Sequence, residues 1–262
     1  MSMHGNGRAL IKGGTIVTMD PKIPDLSTGD VLVDGGRIAA VGMSLQSAGA
    51  EVIDASGSIV MPGFIDAHHH MWLGVMRRML PDVDDLFAYI DVVAEKLGAH
   101  YRPLDMYLST KLTALASLDA GVTTIIDACH SSRSPGHTDA ALDALDDAGI
   151  RALHMVGAAM DKKASAAHLP ADLERLAGRW NTDGGLVRVG SFGQLNLDWW
   201  RFARSLDMRI LTEFIGDLAK LGPEFAEPDV LGPHNIFNHC TRVPQGTWKL
   251  FANAGVNVTI NP

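Results

Sequence analysis

The run Pro62-Gly63-Phe64-Ile65-Asp66-Ala67-His68-His69-His70 sets three histidines at the end of a short apolar segment. On a β-strand, residues i and i+2 project to one side, so His68 and His70 face together while His69 points away. Two neutral imidazoles converging at a strand end make half of a zinc-type site. The spacing alone fits a surface histidine cluster equally well, although an interior position between a strand and a helix is a poor place for a tag remnant. Other chemistries lack their residues. There is no GxSxG elbow for Ser-His-Asp hydrolysis. The two cysteines, Cys129 and Cys240, lie far apart without a CxxC pair and are expected to be buried free thiols.

The elements that must position this pair change character along the chain. Residues 1–60 hold short apolar runs broken by Gly pairs and Asp, including Asp30-Val31-Leu32-Val33, Asp34-Gly35-Gly36 and Arg37-Ile38-Ala39-Ala40-Val41. Two β-rich runs around an Asp-Gly turn predict a hairpin, and the whole segment predicts a small β-domain. From Met61 to Pro262, strands alternate with helices. A first strand ends near Ile65, and further strands are expected at 123–127, 151–157, 186–192, 209–213, 236–239 and 256–260. Helices are expected at 84–98, 104–119, 139–148, 171–180, 198–205 and 245–254, the last closed by Gly255. Seven strands with intervening helices, and no GxGxxG after the first, favour an α/β fold of the (β/α)8 TIM-barrel type over a doubly wound sheet. In such a barrel the His68/His70 end of the strand is the mouth where active sites sit. The sequence stops at Pro262 directly after the seventh strand. A seven-stranded barrel has two open edges, so the C-terminal part of the barrel is expected on a longer polypeptide.

Bulk properties exclude several classes. Lys plus Arg number 22 against 30 Asp plus Glu, a net charge of −8, and no basic run occurs, which argues against a nucleic-acid partner. Met1 to Gly7 carry no signal-peptide pattern, and no apolar run reaches the ~18 residues of a membrane span. The expectation is a cytoplasmic protein with a small-molecule substrate, no membrane partner and a homo-oligomeric state.

The run Val60-Met61-Pro62-Gly63-Phe64-Ile65-Asp66-Ala67-His68-His69-His70 resembles the signature of the amidohydrolase superfamily, most closely its cytosine deaminase and triazine hydrolase branch. The likeness extends along nearly the whole chain. Gly13-Gly14, the stretch from Asp34 to Gly42 and Val52-Ile53-Asp54-Ala55 resemble the opening part of that family's composite β-sandwich domain. Ala120-Gly121-Val122-Thr123-Thr124 is similar to its second-strand entry, Asn238-His239-Cys240 to its sixth strand, and Val256 to Pro262 to its seventh. The resemblance implies one divalent metal, zinc first with iron or manganese as alternatives, held by His68 and His70, a fifth-strand histidine and an eighth-strand aspartate beyond Pro262. It implies that His239 contacts the substrate, the metal or its water.

Two departures matter. Glu213 stands where the fifth-strand histidine belongs, and Gly216 where deaminases carry a glutamate proton shuttle. An offset alignment instead makes Glu213 the shuttle and Ile210 the missing ligand. Glu213 as a ligand is the preferred assignment, since carboxylate oxygen suits zinc, iron or manganese. It would make water at the metal less acidic than an all-histidine site does. Substrate-facing candidates are His130 after the second strand, Trp72 as a pocket wall or packing group, Arg77, and Gln194 and Asn196 after the fourth strand. His154 is expected in the core or at the rim, and Asp66 is expected to orient the first strand. The implied activity is metal-assisted hydrolysis of a C–N bond in a small cyclic amide, amidine or amino-heterocycle, with His239 and Glu213 as catalytic groups. The alternatives are divergent chemistry on the same site (decarboxylation, C–C cleavage or cyclisation) and a non-catalytic family member.

Overall fold

The computed structural model describes residues 7–46, 49–79, 85–215, 221, 225 and 230–261. The chain divides into two compact units between Gly63 and Phe64, three residues beyond the boundary drawn from composition.

The first unit is one mixed sheet. Its strands are β1 (Arg8–Ile16), β2 (Leu26–Asp34), β3 (Arg37–Gly42), β4 (Glu51–Asp54) and β5 (Ile59–Val60), in the order β3-β2-β1-β4 with β5 also paired to β1. The predicted hairpin is β2–β3, with Asp34 opposite Arg37. Gly35 and Gly36 both have positive φ, +56° and +76°, as a two-residue type I′ turn demands. Buried Asp30 accepts the backbone N–H groups of Gly13 and Leu45, tying the bulged β1 to the loop after β3.

The second unit has seven parallel strands in chain order: β6 (Phe64–His69), β7 (Val122–Cys129), β8 (Arg151–Val156), β9 (Val187–Phe192), β10 (Ile210–Ile215), β11 (Asn235–Thr241) and β12 (Asn257–Thr259). The first strand therefore continues past Ile65 to His69. A register shift lies between Asp66 and His69, where Asp66 accepts the backbone N–H of His68. The helices are α1 (Leu86–Ile90), α2 (Pro103–Asp119), α3 (Pro135–Ala148), α4 (Leu169–Trp180), α5 (Leu197–Ser205) and α6 (Gln245–Ala254). Proline near the start of α2, α3 and α4 explains why they begin one to four residues earlier than the sequence pattern suggests: its missing N–H costs nothing there. The helix expected over 84–98 is α1, capped by Asp85, continued by a π-helical stretch over 91–97; residue 84 lies outside the described residues. Gly149 and Gly255 end α3 and α6 in the left-handed conformation. No described helix is long and apolar enough to cross a membrane.

Closure of the sheet follows from one contact. β6 and β11 stand five strands apart in the sheet order, which in a flat sheet means ~24 Å. Yet His68 of β6 hydrogen-bonds Asn238 of β11, so the sheet curls into a TIM-type barrel. Its inner layer is Ala128, Met155, Phe192, Leu211 and Ile236. The layer between strands and helices contains Ile125, Val189, Ile210, Phe214 and Phe237, packed with helical residues such as Leu145, Leu176, Trp200 and Phe251.

Within this buried scaffold Asp127 and His154 are in-register neighbours on β7 and β8, joined at 2.7 Å and essentially inaccessible. The other carboxylate oxygen of Asp127 accepts the N–H of Met71, the residue after His70. Burial opposes charge on both partners, but their pairing outweighs it. The Asp127 carboxyl is held below its usual value, and the His154 imidazole, supported also by Cys129, rises to about 10. The raised histidine stabilises the fold below its unfolded value and ceases to do so as pH climbs through about 10. The depressed aspartate stabilises above its unfolded value and is lost on acidification, so the pair contributes fully between roughly pH 4 and 6.5. Asp127→Asn is expected to lower unfolding free energy by about 3–5 kcal/mol, because it strands a buried partner. Urea unfolding at pH 6 measures it.

Candidate metal centre

Four side chains from three strands meet at the barrel mouth. His68 and His70 come from the end of β6, Glu213 from β10 and His239 from β11. The Nε2 atoms of His70, His68 and His239 lie 3.1, 3.5 and 3.9 Å from one oxygen, Glu213 Oε1. The His68 ring is perpendicular to both His70 and His239, at centroid distances of 4.6 and 4.8 Å. Potential ligand atoms of His68, Glu213 and His239 lie within 4.8 Å of one another, and so do those of His70, His130 and Glu213.

Each orientation has a local cause. The Nδ1 of His70 lies 2.6 Å from the carbonyl oxygen of Ala128 on β7. A carbonyl only accepts, so Nδ1 carries a proton and, in the neutral ring, Nε2 is the nitrogen whose lone pair is directed at the centre. Asp66 accepts from the His68 backbone and bonds His69 Nδ1 at 2.8 Å, which holds His69 away from the cluster. His239 reaches the centre through a bulge. Ile236 faces the interior and Phe237 the helices, so alternation alone would turn Asn238 inward and His239 outward. His239 and Cys240 instead adopt positive φ, 65° and 49°, at a register shift, and His239 swings to the mouth while Cys240 stays buried. Both cysteines are buried and free, as expected.

The electrostatics are those of a half-buried acid among imidazoles. Burial disfavours the Glu213 carboxylate, but His239 and His70 outweigh it and hold the carboxyl well below its usual range. Burial likewise opposes a proton on His70, and Glu213 reverses that, so its value is raised. His68 drops to about 4, through burial first and the neighbouring His70 second; His130 drops to about 3 for the same reasons.

The remaining candidates separate. Arg77 and Gln194 line a cavity of about 1030 Å³ that includes His68, His70, Glu213 and His239, and His130 forms part of its wall. Asn196 lines a smaller side cavity of about 270 Å³, which Gln194 also borders. Its side-chain oxygen is committed to capping α5 through the Trp199 N–H. Trp72 does not line the cavity and the pocket-wall reading is corrected. Its indole is buried behind His130, at 5.3 Å between centroids, among Met76, Val93 and Met106. Ile210 packs in the helix-facing layer and supplies no ligand to the site. Gly216 and Pro262 lie outside the described residues. Two groups that bear on the site escaped the sequence reading, Asp127 and Asn238. The signal available was a polar residue inside an otherwise apolar strand core.

The amidohydrolase family profile matches residues 59–192, just over half of the chain, including His68 and His70. The chain belongs to the amidohydrolase family. Among curated relatives it is 34% identical over 149 residues to a 5-methylthioadenosine/S-adenosylhomocysteine deaminase of Symbiobacterium thermophilum, covering 56% of this chain and 33% of the relative. It is 29% identical over 143 residues to a 5'-deoxyadenosine deaminase of Methanococcoides burtonii, covering 55% and 31%. The matches thus span about a third of each relative's length. In fold, a mutant atrazine chlorohydrolase from Arthrobacter aurescens TC1, solved with zinc and atraton, superposes with a TM-score of 0.83 at 22% identity over 96% of this chain and 65% of that one. Guanine deaminase from C. acetobutylicum gives 0.82 at 13% identity over 97% and 68%.

If Glu213 is what keeps His70 protonated, Glu213→Gln should lower the His70 pKa below its present raised value. Titration of the His70 ring protons by NMR reads this. An unchanged midpoint would show that the carboxylate is not the cause.

Proposed function

We propose that this chain carries the metal centre of an amidohydrolase acting on a C–N bond of a small amino-heterocycle. One observation carries the reading. His68 Nε2 is buried without a hydrogen-bond partner and faces the buried Glu213 Oε1 at 3.5 Å. That oxygen is crowded by three imidazole nitrogens within 4 Å, an arrangement of metal-ligating atoms that a cation among them would satisfy. The donor set of His68, His70 and Glu213, with His239 beside it, suits zinc, and carboxylate oxygen admits iron or manganese. When bound, such an ion supplies a Lewis acid that makes water nucleophilic near neutral pH.

The chain's own residues would do the rest. His70, fixed by Ala128, offers Nε2 as a ligand. Glu213 occupies the fifth-strand ligand position and partly neutralises the ion. His239, at the cavity edge, is placed to hold or pass a proton at Nε2 to the departing nitrogen. Arg77 and Gln194 border the same cavity as the cluster and are the substrate-facing groups of this reading. Buried, neutral His130 excludes water on the β7 side. The deaminase relatives make 5'-modified adenosines the first substrates to try.

A second reading has its own observation. Among the described cavity-lining residues, Glu213 is the sole carboxylate; were it the ligand, none of them would supply a second carboxylate as proton shuttle, which is the ground for a lyase on the same centre as the second reading.

Metal analysis and ammonia assay together test the proposal. The protein is expected to bind about one equivalent of zinc and to release ammonia from an amino-heterocycle, and His68→Ala to lose both. Turnover by metal-free His68→Ala would overturn it, and product without ammonia would favour the lyase. Zinc must also displace the proton that Glu213 keeps on His70. Affinity is therefore expected to rise with pH, by up to about tenfold per unit below the raised His70 value, and to level off above it. Chelator competition at several pH values checks the slope.

A further inference from the structure

Asn238 is wholly buried in the barrel interior, one residue before His239. A buried amide is costly unless its groups are bonded, and this one has two side-chain partners. Its Nδ2 donates to His68 Nδ1, and its Oδ1 accepts from the hydroxyl of Thr259. Thr259 is its direct cross-strand partner on β12. The three side chains form a line from half-buried Thr259, through Asn238, to His68.

The direction of these bonds bears on the metal centre. A nitrogen of neutral imidazole that accepts a hydrogen bond leaves the ring proton on the other nitrogen. With the Asn238 amide N–H toward His68 Nδ1, the proton sits on Nε2, 3.5 Å from Glu213 Oε1, and His68 has no lone pair for an ion there. A half-turn of the amide puts Oδ1 against His68 Nδ1 and Nδ2 against Thr259 Oγ1. A threonine hydroxyl accepts as readily as it donates, so every bond in the line is kept with its direction reversed. His68 then carries its proton on Nδ1 and presents Nε2 to the centre. His70 has no such freedom, because the Ala128 carbonyl allows only one tautomer.

We propose that Asn238, backed by Thr259, is a reversible tautomer selector for His68, and that zinc binding at the proposed centre is coupled to the half-turn of its amide. The inference rests on the metal reading above. Asn238 is a positioning residue: it acts on the centre only through His68.

The test uses zinc alone as the probe. In ¹⁵N-histidine-labelled protein, long-range ¹⁵N–¹H spectra are expected to show the His68 proton on Nε2 without metal and on Nδ1 with zinc. Chelator competition is expected to show zinc affinity 10–100-fold weaker in Asn238→Leu, the usual cost of losing a ligand's outer partner. Asn238→Asp, which can only accept, should stay within a few-fold of the parent. Thr259→Val removes one bond from both states of the line alike, so zinc affinity should stay within a few-fold of the parent. Parent-like affinity in Asn238→Leu overturns the proposal. So does one and the same His68 tautomer with and without zinc, a measurement on the unsubstituted protein that stands even if the leucine variant does not fold. If the unsubstituted protein binds no zinc, the metal reading falls too; if it binds zinc and the leucine variant binds it equally well, only the selector falls.

Discussion

Glu213 carries a negative charge into the mouth of a barrel, where leaving water costs several kcal/mol before any partner is counted. Its Oε1 is surrounded by imidazole nitrogens within 4 Å, and imidazole compensates a carboxylate well only when protonated. Glu213 in turn favours a proton on His70, while burial first and the charge of His70 second push His68 and His130 down. The centre is thus a small electrostatic system under strain, in which one cation is wanted and several neutral rings are held ready. The rest of the second unit keeps those rings from turning away.

Much of that holding comes from β7, which contributes no side chain to the four-residue cluster. The Ala128 carbonyl fixes the His70 tautomer, and Asp127 anchors the Met71 N–H just beyond it. Asp127 is itself pinned by His154 on β8. The order of support runs outward from the centre: ring, backbone of the next strand, then a buried ion pair. Outer partners of this kind set how well a first layer of ligands is oriented.

The fold and half of the centre could be read in the residues alone. Alternation of strand and helix announced the barrel, and the i, i+2 spacing of His68 and His70 placed them together. Proline and glycine marked several helix ends, though apolar periodicity started α3 too late because Pro135 precedes the first core residue. For Trp72 the packing alternative holds: its spacing from His70 suggests a shared face, but the chain leaves the strand at Met71 and turns through a 3-10 helix that buries the indole. The Asp127–His154 pair and the Asn238–Thr259 pair were not legible, since each depends on the register between strands distant in sequence. Strand spacing makes Glu213 face inward, but it does not tell that three imidazoles converge on one of its oxygens.

The bulge at His239 and Cys240 has a cost of its own. Two non-glycine residues in the left-handed region store about 1–3 kcal/mol each, and the strand around them must hold that tension. Phe237, stacked on Phe251 at 4.6 Å beneath α6, is one of the clamps. A packing defect there would let the backbone relax to ordinary extended geometry, with ladder, core and barrel intact and the His239 ring turned from the mouth. Such a lesion would cost the centre its His239 while the barrel stayed folded. In this protein competence can fail upstream of stability, and a drifting aromatic pair beneath a helix is where that failure would begin.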